Sequence, residues 1–175
     1  MYAAGVAQED GADLDAAQAS YQRLLELAPE DAGWRAIALG NLGNIAYTRG
    51  DLDEAERLYR EALEIFSTLG SLKGQAAVPG NLGIIAWTRG DLDEAERLFN
   101  EALELNRKLG SLEGQANQLG NLGIIAEERG DLAQAAALWT EARDLYARIG
   151  MPHRVELVQG WLDELPPDAR PDEGT

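Results

Sequence analysis

Cysteine is absent from this 175-residue chain, which removes disulfide staples, thiolate catalysis and thiolate metal ligands together. Histidine occurs once, as His153, so a catalytic arrangement built on a histidine base has one candidate and no partner placed for it. Basic residues are scarce: 15 Lys and Arg stand against 31 Asp and Glu, a formal net charge of −16. Such a surface repels phosphate backbones and anionic lipid heads, so nucleic acid and membrane are set aside as partners. No stretch approaches the roughly 20 apolar residues of a membrane span. The opening Met1-Tyr2-Ala3-Ala4-Gly5-Val6 lacks the basic patch and long apolar run of a secretory signal. The expectation is a soluble cytoplasmic protein.

What the chain does have is enough apolar residues, 45%, for a continuous interior, and an internal repeat. Residues 41–80 read NLGNIAYTRGDLDEAERLYREALEIFSTLGSLKGQAAVPG and residues 81–120 read NLGIIAWTRGDLDEAERLFNEALELNRKLGSLEGQANQLG, identical at 28 of 40 positions. A third copy, 121–160, keeps NLGIIA and RGDL, and an earlier one shows as GADLDAAQASYQRLLELAP with its first helix short.

Punctuation divides each period into two helices. Arg49-Gly50-Asp51, Arg89-Gly90-Asp91 and Arg129-Gly130-Asp131 supply a cation for the last turn, a glycine at the helix end and an Asp to cap the next helix. Asp51 with Glu54 and Asp91 with Glu94 have capping-box spacing. Leu52, Ala55, Leu58, Tyr59, Ala62, Leu63, Phe66 and Leu69 form an apolar stripe at helical period. Gly70-Ser71 and Gly110-Ser111 then end one helix and cap another. The units fall at about 1–30, 31–70, 71–110 and 111–150, each a helix A, a tight turn and a helix B.

One such hairpin cannot bury its apolar face alone, so hairpins must stack. The expected fold is all-α: a right-handed α-solenoid of stacked antiparallel hairpins forming one array over 1–165. An amphipathic helix at 152–165, carrying Val155, Val158, Trp161, Leu162 and Leu165, closes it, and 166–175 reads as a disordered acidic tail.

Leu42-Gly43, Ala55, Tyr59 and Ala62 recur as Leu82-Gly83, Ala95, Phe99 and Ala102, then as Leu122-Gly123, Ala135, Trp139 and Ala142; the first copy offers Ala17, Tyr21 and Pro29 but has Leu24 where a small residue is expected. On these positions residues 12 to about 150 resemble tetratricopeptide repeats. The 40-residue period is similar to that of the subgroup containing kinesin light chains and Pins-type signalling modulators. The resemblance implies a concave groove, lined by helix A, that binds extended peptides. Independently of it, a glycine inside a helix costs about 1 kcal/mol relative to alanine, so three in register need a close helix contact in return.

The residues themselves offer little chemistry. The acidic cluster Asp51, Asp53, Glu54, Glu56 sits in a helix first turn and lacks a calcium-loop pattern, and GNLGN follows no strand, so no metal, cofactor or enzymatic activity is expected. What remains is a surface. Asn41, Asn81 and Asn121 stand in register on helix A, with Asn44, Tyr47, Ile84, Trp87, Asn117, Ile124, Glu127 and Glu128 along the same side. An amide ladder offers both donor and acceptor to a peptide backbone, although duplication alone would also copy the asparagines. Gly40, Gly80, Gly120 and Gly160 precede the ladder, where a missing side chain admits a ligand or a neighbouring helix, and Pro79 should kink its helix. The leading expectation is a protein or peptide ligand with apolar anchors and a basic flank. The alternative is a self-assembling structural module, a homo-oligomer.

Overall fold

The computed structural model describes residues 11–27 and 30–170. Among them are eight helices and no strand: α1 (Gly11–Leu27), α2 (Ala32–Thr48), α3 (Leu52–Thr68), α4 (Leu72–Thr88), α5 (Leu92–Leu109), α6 (Leu112–Glu128), α7 (Leu132–Arg148) and α8 (Pro152–Glu164). Consecutive helices pack on each other in an all-α solenoid. Helices α2, α4 and α6 are the A helices, α1, α3, α5 and α7 the B helices. The first unit's helix A, and Pro29, lie outside the described residues.

Both turns form from the residues that announced them. Asp51, Asp91 and Asp131 accept from the backbone N–H three residues on, at 3.2, 3.1 and 3.0 Å. Gly50 stands at φ 82°, and the following Asp51 N–H returns to the Ala46 carbonyl at 2.9 Å, a closure that uses the left-handed backbone glycine tolerates. The capping boxes are only half made. Glu54 and Glu94 turn from the cap to Arg57 and Arg97, because those guanidiniums offer two charged donors and each cap's own N–H already bonds to a helix A carbonyl.

Within each hairpin the glycine of helix A meets the large aromatic of helix B. A Cβ added at Gly43 would lie 2.7 Å from the Tyr59 ring, at Gly83 2.7 Å from Phe99, and at Gly123 2.2 Å from the Trp139 indole. Between hairpins, the arginines at the helix A ends do more than face a helix dipole. Arg49 reaches Asp15 and Gln18, Arg89 reaches Asp53 and Glu56, and Arg129 reaches Asp93 and Glu96, each on the preceding B helix. The ladder stops at α7, where Ala133 and Ala136 take the acidic places.

These pairs have a pH signature. Hydrogen bonds from Arg57, Arg89 and Arg97 hold Glu54, Glu56 and Glu94, respectively, below the ordinary carboxylate value of 4.5. The folded chain therefore binds fewer protons there than the unfolded one. The stability they contribute is complete above about pH 4.5 and is lost as pH falls through the lowered values. Protonation also relieves the excess negative charge, so the clean observable is a difference. The stability gap between wild type and Arg89→Gln, from urea unfolding, should be constant above pH 5 or so and shrink below it. A gap that widens in acid would contradict the pairing.

At the far end α8 closes the array: Val158, Leu162 and Leu165 are buried and Trp161 tilts against Trp139, ring centroids 5.5 Å apart. The tail expected from 166 onward starts as a folded-back turn. Arg170 donates to the carbonyls of Leu165 and Asp163, satisfying acceptors that a helix C-terminus leaves open. Residues 171–175 lie outside the description.

Candidate functional site

The A helices adjoin one another as a row. Asn81 on α4 donates to the Asn44 side chain on α2 at 3.3 Å, Trp87 Nε1 on α4 donates to Glu128 on α6 at 2.8 Å, Gln118 on α6 lies against Gly80 on α4, and Trp161 on α8 lies against Gly120 on α6. Among the described residues, nothing lies within 4 Å of the side-chain space of Gly40 or Gly160. Helix α4 runs unbroken through Pro79.

The expected surface residues divide by what this row does with them. Asn41, Asn81, Tyr47, Trp87, Asn117 and Ile124 are partly exposed, and Glu127 and Glu128 are exposed. Asn41 gives an amide proton to the Ile37 carbonyl at 2.9 Å, and Asn81 gives one to Asn44. The amide oxygens of Asn41 and Asn81 accept no hydrogen bond within the described residues. Asn44 is different. Its Oδ1 accepts from the Tyr59 hydroxyl at 2.6 Å as well as from Asn81, so it serves the hairpin interior. Burial pushes the Tyr59 hydroxyl above its ordinary range, with Tyr47 adding to it, so Tyr59 stays a donor. Asn117 likewise accepts from Tyr146.

Two expected surface positions are not surface at all. Ile84 and Asn121 are each 4% exposed. Ile84 stands where Asn44 does, in a repeat whose aromatic, Phe99, has no hydroxyl to satisfy, and it joins the core. Asn121 sits beside Gly120, on which Trp161 lies. Forty residues after Asn121, Trp161 occupies the fourth rung, so α8 closes the ladder at this end.

Trp34 was not among the residues expected on this surface. It is 53% exposed and Ile37 43%, three residues apart on α2, on the stripe that continues to Asn41. The signal was available: Trp34 stands where the next copies have Gly74 and Gly114, and those glycines press on Phe66 and Asn106. A tryptophan cannot enter that space. The row thus has apolar area at its α2 end, asparagines between, and carboxylates at its α6 end.

Other features carry less. A cleft of about 340 Å³ between α1, α2 and α3 includes Leu42, Ile45 and Arg49, and a smaller one of about 150 Å³ between α5, α6 and α7 includes their counterparts Leu122, Ile125 and Arg129. Both belong to the repeat junction. His153 is exposed at the start of α8. Among the described residues no cluster of His, Asp and Glu could hold a metal, and no helix is long and apolar enough to cross a membrane.

The tetratricopeptide repeat profile matches residues 1–68 and 74–150. The chain belongs to the tetratricopeptide repeat family. Repeats of this family generally mediate protein–protein interaction. The tetratricopeptide array is also similar to the crystal structure of BtubC (BKLC) from P. vanneervenii, with a TM-score of 0.67 and 19% identity over 93% of this chain and 80% of that one. That likeness speaks to the fold. No curated protein matches by sequence.

Proposed function

We propose that the face shared by α2, α4 and α6 holds an extended segment of a partner protein, apolar at one end and basic at the other, and that the protein acts by binding rather than by catalysis. The observation that carries this is the gradient along the row: Trp34 and Ile37 exposed at the α2 end, Glu127 and Glu128 exposed at the α6 end. Between them Asn41 and Asn81 keep their amide oxygens for backbone N–H groups, a contact that tolerates many side chains. The net charge of −16 steers a basic flank toward this surface and opposes association of the protein with itself. It also argues against self-assembly as the main role.

The test is calorimetry against synthetic peptides that place Leu or Trp at one end and Lys or Arg at the other. Asn81→Ala combined with Trp87→Ala should weaken the best binder about tenfold or more while the far-ultraviolet circular dichroism keeps its helical form. Preference for acidic peptides, or loss of helicity in the double variant, would show the assignment to be mistaken.

A further inference from the structure

Gln118 is a buried polar side chain at a place where the fold asks for none. It is 9% exposed on α6, and the equivalent residues of the two preceding A helices are Ala38 and Val78, 0% and 3% exposed. Its Oε1 is shut off from solvent and has no hydrogen-bond partner among the described residues. An apolar side chain would fill this space without the loss of hydration that an unmatched acceptor suffers. The amide head crosses to α4 and rests on Gly80: a Cβ there would be 3.0 Å from Nε2 and 3.1 Å from Oε1. Gly80 immediately precedes Asn81, and Gln118 follows Asn117, so the unmatched oxygen lies in the seam between α4 and α6, one residue along each helix from the proposed binding face.

We infer that Gln118 is a specificity-determining residue of that face, its Oε1 turning out from Gly80 to accept an N–H donor from the bound segment. The inference rests on the groove reading and sharpens it. Unbound, Gln118 weakens the array; bound, the donor restores the missing hydrogen bond. Rotation about the terminal side-chain bonds would make that turn, and Gly80 presents no side chain to obstruct the amide. The donor is an N–H, from the segment's backbone or from its Lys or Arg, both of which a neutral amide oxygen accepts.

The experiment uses the full chain and one probe, the peptide from the apolar-basic panel whose affinity Asn81→Ala reduces. Gln118→Val, which copies Val78, should raise the melting temperature by about 2–4 °C and weaken the probe about five- to tenfold. Gln118→Ala, copying Ala38, should weaken it equally. Two probe series identify the donor. Methylating each backbone nitrogen in turn, or replacing each Lys or Arg by norleucine, should give one position at which wild type and Gln118→Val bind alike. A backbone position assigns a peptide N–H and a norleucine position assigns the cationic side chain.

Undiminished probe binding by both Gln118 variants, with Asn81→Ala still weakened, would overturn the inference and leave the groove standing. A lowered melting temperature for both would also overturn it, by making Gln118 a structural residue. If no panel peptide responds to Asn81→Ala, the groove reading itself fails and this proposal with it.

Discussion

Gly123→Ala should cost about 2 kcal/mol of unfolding free energy, while the same change at Gly40 should add about 1 kcal/mol. The two substitutions are chemically identical, and both sites are in A helices. At Gly123 the new Cβ would stand 2.2 Å from Trp139 Nε1 and 2.4 Å from Cδ1. The indole cannot withdraw freely, because it is 1% exposed and its Nε1 donates to the Gly120 carbonyl at 3.1 Å. Overpacking of about 1–3 kcal/mol, with a buried hydrogen bond strained as well, outweighs the roughly 1 kcal/mol that alanine gains over glycine in a helix. At Gly40 no described residue lies within 4 Å, so only the gain remains. Gly83→Ala should fall between, since its neighbour is a Phe99 ring 2.7 Å away with no hydrogen bond to lose. Urea unfolding followed by circular dichroism reads all three. Midpoints that move together would mean that close hairpin contact is not what these glycines provide.

Those glycines are legible in the sequence, because their helical cost in three registers demands a compensating contact. The helix boundaries were legible for a similar reason: Asp51, Gly50 and Ser71 each have a local role that sequence spacing alone exposes. The arginine ladder was not. Arg89 and Glu56 lie 33 residues apart, and only the stacking register decides that this arginine meets the preceding B helix rather than its own. The capping boxes misled in the opposite way, since Glu54 had a stronger partner in Arg57 one turn further on.

Which of the expected surface residues stay exposed was not legible where a helix A residue answers to a residue on another helix. Asn44 was expected on the surface beside the ladder, but Tyr59 fixes its role. Comparing copies would have found this: Tyr59 goes with Asn44, whereas Phe99 and Trp139 go with Ile84 and Ile124. A hydroxyl needs a buried acceptor and its absence makes isoleucine the better residue. The burial of Asn121 was not legible because the sequence marked α8 as a cap without showing which rung Trp161 would close. Gln118 was visible as the odd member of Ala38, Val78, Gln118, yet its burial, which gives the oddity meaning, came only from the packing.

Removing α8 and all that follows, by ending the chain after Gly150, should be the most damaging change to the array. Val158, Leu162 and Leu165 are each at most 2% exposed, and burying such side chains is worth about 1.5–3 kcal/mol apiece. The loss of about 5 kcal/mol or more is comparable with the whole stability of many domains. It would fall unevenly, because each unit of a solenoid touches only its neighbours. Helices α6 and α7, which lose the cover of Trp161 over Gly120 and Trp139, should exchange amide hydrogens fastest, while α2 and α3 change little. The uncovered apolar face should also drive concentration-dependent association in light scattering. Leu162→Asp in the full-length chain is the milder version, placing a carboxylate at a 2% exposed site, and should give the same pattern of exchange. If the shortened chain stayed monomeric with the urea midpoint of the full one, α8 would be an appendage, and the closure of the asparagine ladder at Asn121 would need another cause.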